Sequence, residues 1–307
     1  LANFFWGLSF PVIKAMILLQ GRIAPGAGSA LVTALLLAPR FLLALGFLLL
    51  LRPRVLARAS GAEWRQGLLI ASFAGAGLWL QNDGLRFTAA STSAFLTQLY
   101  AILIPLYLAF RARRNPGTRV WLSAGLVLAG IALLGRFDWR TLQLGRGEVE
   151  TLLGSVFFMG QILALERPEF AATRPGAVTG VMFLFLAFVF GADAMVAAPG
   201  PWALLAPWHS TAWIALAAVL ALFSTLGAYS LMNAWQPRIT AIEAGLIYCF
   251  EPIFGSILAL FLPALLSAWT GIGYADEHAT VSLLAGGSLI TLGNILIQLR
   301  PPQRLPA

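Results

Sequence analysis

Few side chains in this sequence could do polar chemistry, and those few sit among apolar neighbours. Lys14, in LANFFWGLSFPVIKAM, follows thirteen residues without a formal side-chain charge and is followed by Ile17, Leu18 and Leu19. A charge in such company is expensive. It either attracts a carboxylate in a water-filled cavity or snorkels outward and anchors its helix. Arg40, in TALLLAPRFLLALGF, poses the same choice: a second cation at similar depth that draws an anionic or zwitterionic solute, or an outer-interface anchor. Glu243 and Glu251 are eight residues apart, slightly over two helical turns. Glu251 is the more deeply placed. It either binds solute and couples protons to its movement, or pairs with Lys14, Arg40 or a helix dipole.

A second group offers hydrogen bonds at lower cost. Ser93 and Thr97 are four apart, and Thr97 and Tyr100 three apart, so these pairs share a helix face. Tyr248 follows a comparable segment, and the two tyrosines are expected on opposite sides of a cleft. Trp6 is either an aromatic wall or an inner-interface anchor. Gln81, Asn82 and Asp83 form either an external gate or an ordinary helix end. Pro11, Pro105 and Pro252 are hinge candidates, because proline removes a donor and clashes one turn back.

These residues make no catalytic, cofactor or metal signature, so the chain is not expected to be an enzyme. Cys249 is the single cysteine, and His209 and His278 lie far apart. There is no Walker loop, no dinucleotide fingerprint and no Ser-His pair in one region.

The elements that must carry them follow from composition. Of 307 residues, 59% are hydrophobic and only 10% charged, with mean hydropathy +0.84. A soluble domain is about a quarter charged and could not hide this much apolar surface. Lipid is the natural solvent. Apolar runs near the length of a bilayer span occur at 2–19, 29–51, 65–82, 90–110, 119–135, 149–166, 177–198, 210–234, 239–262 and 281–299. The even-numbered runs are followed by Arg52, Arg54, Arg58 and Arg65; by Arg111, Arg113, Arg114 and Arg119; by Arg167 and Arg174; by Arg238; and by Arg300 and Arg304. The opposite side carries Arg22, Arg86, Arg136, Arg140 and Arg146, a tally of 13 against 5. Both termini are therefore expected in the cytoplasm. Asp138, Glu148 and Glu150 weaken the rule locally. The net charge of +8 is explained by topology, and no nucleic acid is expected as a partner. Leu1 in place of Met suggests that the natural chain starts a few residues earlier. A signal peptide is not expected.

Ten spans divide into five and five, and halves of odd count must insert with opposite orientation. Such inverted repeats are a common frame for alternating access. FTAASTSAFLTQLYAILIPLYLAF and ITAIEAGLIYCFEPIFGSILALF each begin with a Thr-Ala pair and end in a proline before an apolar run. LSAGLVLAGIALLG and LLAGGSLITLGNIL set small residues among leucines, with Gly125, Gly130, Gly286, Gly287 and Gly293 expected to permit close packing.

The sequence resembles the EamA-type permeases of the drug/metabolite transporter superfamily. The resemblance rests on WGLSFPVIK, PRFLLALGFLLLLRPR, LRFTAASTSAFLTQLYAILIPL, ITAIEAGLIYCFEPIFG and ADEHATVSLLAGGSLITLGNI, in that order along nearly the whole chain. It matches Glu277 to the family's loop glutamate and Lys14 to its helix-1 lysine. It departs at RARRNPGTR, where no acidic residue follows the fourth run. The resemblance implies an all-α, ten-helix protein of two inverted five-helix repeats, residues 1–140 and 141–307. It also implies a multi-pass protein of a bacterial inner membrane. The function implied is export of small organic metabolites, amino acids or drugs, by exchange or with protons. A non-transporting scaffold or receptor, or a passive channel, would share the topology. Monomer and homodimer stay open.

Overall fold

The computed structural model describes residues 1–134 and 144–298. Arg136, Asp138, Arg140, Arg300, Arg304 and the expected boundary at 140/141 lie outside the described residues. All regular structure among the described residues is helical: α1 Ala2–Ile23, α2 Ser29–Leu51, α3 Gly61–Gly84, α4 Ala90–Thr97, α5 Tyr100–Arg111, α6 Thr118–Leu134, α7 Arg146–Leu165, α8 Pro175–Ala197, α9 Pro201–Leu205, α10 Thr211–Val219, a π stretch Leu220–Gly227, α11 Ala228–Trp235, α12 Ala241–Tyr248, α13 Phe250–Ala259, α14 Leu262–Thr270 and α15 Val281–Gln298, with short 3-10 turns between some of them. Helix is the expected solution, because hydrocarbon offers no partner to an open backbone N–H or C=O.

Among the described residues, seven helical stretches are long and apolar enough to cross a membrane: Ala2–Ile23, Ser29–Leu51, Ala90–Arg111, Arg146–Leu165, Pro175–Ala197, Thr211–Arg238 and Ala241–Ala259. The chain is thus a polytopic membrane protein. Thr118–Leu133 and Val281–Leu296 are shorter apolar helices. The 24-residue α3 is long enough, but it is diluted by glycine, tryptophan, glutamine and three charged residues.

Three of these stretches are not continuous α-helix. The run 90–110 breaks at Gln98–Leu99, 239–262 breaks at Cys249, and 210–234 widens into the π stretch. Pro11 and Pro105 lie inside unbroken helices, and Pro252 lies in the first turn of α13, past the break.

The most extensive helix pairs are α3 with α7, α6 with α15 and α2 with α8. Small residues let two of these approach closely. A Cβ on Gly77 would stand 3.1 Å from the Gly154 carbonyl oxygen, and one on Gly154 would stand 3.0 Å from that of Gly77. On α6, a Cβ at Gly130 would stand 2.7 Å from the Gly286 carbonyl oxygen of α15. Gly125, expected to pack likewise, faces open space.

At one end of the bundle the start of α3 is fixed by a capping box: Glu63 N–H donates to Ser60 Oγ at 3.3 Å, and Ser60 N–H donates to Glu63 Oε2 at 2.7 Å. The same carboxylate receives Arg174 Nε at 2.7 Å and Nη2 at 2.8 Å, tying α3 to the start of α8. The Arg174 guanidinium, helped by the Ser60 and Arg174 N–H groups, holds the Glu63 carboxyl down at about 2. A depressed carboxyl contributes stability that is fully present above its unfolded pKa, about 4.3, and lost as pH falls through the folded value. The difference in unfolding temperature between wild type and Glu63→Gln should therefore hold constant above about pH 5 and shrink toward about pH 2. Thermal unfolding of the purified protein across that range checks it. A difference independent of pH would contradict the ion pair.

Candidate functional site

A narrow cavity of about 50 Å³ lies at the centre of the bundle, room for a few water molecules. Six of the eight sequence candidates line it: Trp6, Arg40, Thr97, Tyr100, Tyr248 and Glu251. Ser9, Leu78, Gln81, Phe158, Gln161, Ile162, Tyr229 and Met232 complete the wall. These residues come from α1, α2, α3, α4, α5, α7, α11, α12 and α13.

The aromatic side is continuous. Trp6 meets Tyr229 and Tyr248 edge-on, at 5.6 and 5.5 Å between centroids, and Tyr100 meets Tyr248 at 6.4 Å. The two tyrosines expected on opposite sides of the cleft are thus neighbours. This packing gives rigid walls whose hydroxyls sit at the rim of apolar faces. Tyr229 was not singled out from the sequence. It is polar within an apolar run, as is Gln161, and that is the only signal either carried.

Arg40 is only 2% exposed and near the middle of α2, not in its outer half. The π stretch holds its guanidinium: Nε donates to Thr225 Oγ1 and Nη2 donates to the Ser224 carbonyl at 3.2 Å. Single π turns inside helices recur at functional sites because they re-aim carbonyls and side chains. Glu251, 7% exposed, faces the same cavity, and among the described residues its carboxylate has no hydrogen-bond or ion-pair partner. A buried carboxylate without a partner is costly, and in a membrane it marks a place where a proton or cation is expected.

The helix breaks form part of the wall. Pro252 has no N–H, so the Tyr248 carbonyl one turn back loses its helical donor. Gln98, at the break between α4 and α5, supplies one: its Nε2 donates to the Tyr248 carbonyl at 2.9 Å and to Tyr100 Oη at 3.1 Å. Asn3 Nδ2 donates to the neighbouring Ile247 carbonyl at 2.5 Å. Tyr248 Oη donates to Gln236 Oε1 at 2.8 Å, closing the opposite end.

Two candidates lie elsewhere. Ser93 is buried against α7, its Oγ 3.4 Å from Thr151 Oγ1. Lys14 does not line the cavity, which corrects the pathway expectation for it. Its ammonium donates to the carbonyls of Leu85, Arg86 and Thr88 at 2.7, 3.2 and 2.9 Å. The three carbonyls belong to the turn between α3 and α4, and they solvate the charge in place of water. The same turn is held from other sides. Glu277 accepts from Ala90 N–H at 2.8 Å and from Ser91 Oγ, capping α4. Asp83 accepts from Arg146 Nη2 at 2.5 Å, from Thr33 Oγ1 at 3.0 Å and from Ser29 Oγ. Arg146 also lies 4.4 Å above the Phe87 ring. Gln81 donates to Thr97 at 2.9 Å within the cavity wall.

Two outcomes follow from these bonds. Gln98→Leu should lower stability by about 1 kcal/mol. The loss should be smaller in a Pro252→Ala background, where residue 252 regains an N–H for the Tyr248 carbonyl. Thermal unfolding of the four variants of this double-mutant cycle reads the coupling. Lys14→Met should destabilise by about 1–3 kcal/mol, from three stranded carbonyls, and should leave the preference between anionic and cationic solutes unchanged. A selective loss of anionic solutes would restore Lys14 to the pathway.

Among solved structures, the chain is similar to one described only as a crystal structure of a protein, with a TM-score of 0.58 and 18% identity over 97% of this chain and 96% of that one. At that identity the likeness is one of fold. No curated protein matches the chain. Residues 1–136 match the EamA-like transporter family, consistent with the resemblance of the chain's motifs.

Proposed function

We propose that the chain is an alternating-access secondary transporter whose solute site is the cavity between Arg40 and Glu251. The observation that carries the reading is a buried guanidinium and an unpartnered buried carboxylate facing one aromatic-walled cavity. A small solute with an anionic and a cationic or hydrogen-bonding end would answer both charges. The present cavity is too narrow for such a solute, so loading requires the surrounding helices to part. The solute is a small metabolite, amino acid or drug. Movement is by exchange, or with protons taken by Glu251, and the outward direction rests on the family resemblance alone. No part of the reading requires an enzyme.

The architecture belongs to the same proposal: ten spans in two inverted repeats, residues 1–140 and 141–307, with both termini in the cytoplasm of a bacterial inner membrane. The packing supports it. When the spans are numbered in order and each index is advanced by five, every major contact maps onto another. Spans 2 with 7 and 5 with 10 map onto themselves, 3 with 6 onto 8 with 1, 3 with 7 onto 8 with 2, and 1 with 9 onto 6 with 4. The 13-to-5 arginine tally supports the orientation.

Purified protein in proteoliposomes should move a subset of amino acids, nucleobases and cationic drugs, with flux stimulated by opposing substrate or a proton gradient. Arg40→Met should reduce flux of solutes bearing a carboxylate at least about tenfold, equivalent to one lost charge-assisted contact. Glu251→Gln should abolish stimulation by a proton gradient or, if exchange operates, flux of cationic solutes. Flux unaffected by either variant would sink the site. Flux without stimulation by opposing substrate or protons would favour a channel, and its absence for the whole panel a scaffold or receptor.

A further inference from the structure

A second cleft, of about 380 Å³, opens where the C-terminal end of α2 meets the N-terminal end of α8, at the end of the bundle that the arginine tally assigns to the cytoplasm. Arg52, Arg54, Arg58 and Arg174 line it, with Val55 and Gly176. Arg174 is neutralised by Glu63. That carboxylate is saturated by the guanidinium and by the Ser60 and Arg174 N–H groups. Among the described residues the side chains of Arg52, Arg54 and Arg58 have no hydrogen-bond or ion-pair partner, so the cleft holds uncompensated positive charge.

Arg52 Nη1 lies on the first turn of α8, where a Cβ at Gly176 would stand only 2.5 Å away. The Glu63 carboxylate already caps that end of α8 through the Arg174 N–H, so the Arg52 guanidinium is left to the cleft. Guanidinium groups bind phosphate oxygens in pairs of parallel hydrogen bonds.

We propose that this cleft binds a phosphate anion and that its source is the headgroup of an anionic membrane phospholipid. The surroundings favour lipid over free phosphate. Leu50 and Leu51, the last residues of α2, are 79% and 73% exposed, so an apolar strip leads from the membrane to the cleft. A headgroup in the cleft places its acyl chains along that strip. Basic pockets between spans on the cytoplasmic side hold anionic headgroups in this manner. A bound lipid would brace α2, which carries Arg40, against α8. The inference does not depend on the chain being a transporter.

The test uses the full-length protein in neutral detergent and native mass spectrometry, with phosphatidylglycerol and phosphatidylcholine of matched acyl chains. Wild type should retain phosphatidylglycerol preferentially. Affinity should fall about fivefold for each guanidinium removed, through Arg54→Gln to the triple variant R52Q/R54Q/R58Q. The single variant carries the test if the triple one does not fold. Inorganic phosphate, in a separate arm, should not displace the lipid. Equal retention of the two lipids, or undiminished retention by the variants, would overturn the site and leave the arginines as topology signals only. Displacement by inorganic phosphate would overturn the lipid source and assign the cleft to a soluble anion.

Discussion

Every backbone N–H and C=O inside a bilayer needs a partner within the protein, and that requirement organises this molecule. It is met by helix for most of the chain. Where helix is interrupted, the released groups are taken over by particular side chains. Gln98 takes the Tyr248 carbonyl that Pro252 abandons. Asn3 takes the Ile247 carbonyl, and Arg40 takes the Ser224 carbonyl in the π stretch. The interruptions therefore occur where polar side chains from other helices converge. A cavity with polar atoms in its wall is the consequence.

The same requirement sorts the charges. Lys14 and Arg40 look alike in sequence, each one cation in an apolar helix. Lys14 spends all three donors on one turn, so it is a structural cation that replaces hydration with carbonyls. Arg40 has five donors in a planar fork. Among the described residues its hydrogen bonds come from Nε and Nη2, which leaves a guanidinium edge toward the cavity. Among the described residues Glu251 has no such partner, unlike the saturated Asp83 and Glu63.

The turn between α3 and α4 shows how charged groups brace a non-helical segment of this bundle. Lys14, Asp83, Arg146 and Glu277 hold it from four different stretches of sequence. The opposite end is held by Glu63 with Arg174, Gln66 with Thr173 and Tyr248 with Gln236, among others.

Much of the fold was legible in the sequence because hydropathy is a local property. Apolar runs of bilayer length, arginines between them and the near-repeat of FTAASTSAF in ITAIEAGLI needed no coordinates. The polar face of Thr97 and Tyr100 could also be read from spacing, whereas the sequence left Glu251 open to pairing with Lys14, Arg40 or a helix dipole. What could not be read was which of several equivalent groups would meet. The sequence gives Lys14 and Arg40 the same local surroundings, and only the approach of the turn at 85–88 and of the π stretch makes one a brace and the other a cavity wall. Prolines signal a lost hydrogen bond but not its location in the bend. The breaks fell at Gln98–Leu99 and Cys249, where partners from α1 and between α4 and α5 were available. Hydropathy decides that a segment enters the membrane through its own residues. Partnering of buried polar groups is decided between segments far apart in the chain, so only the tertiary structure could settle it.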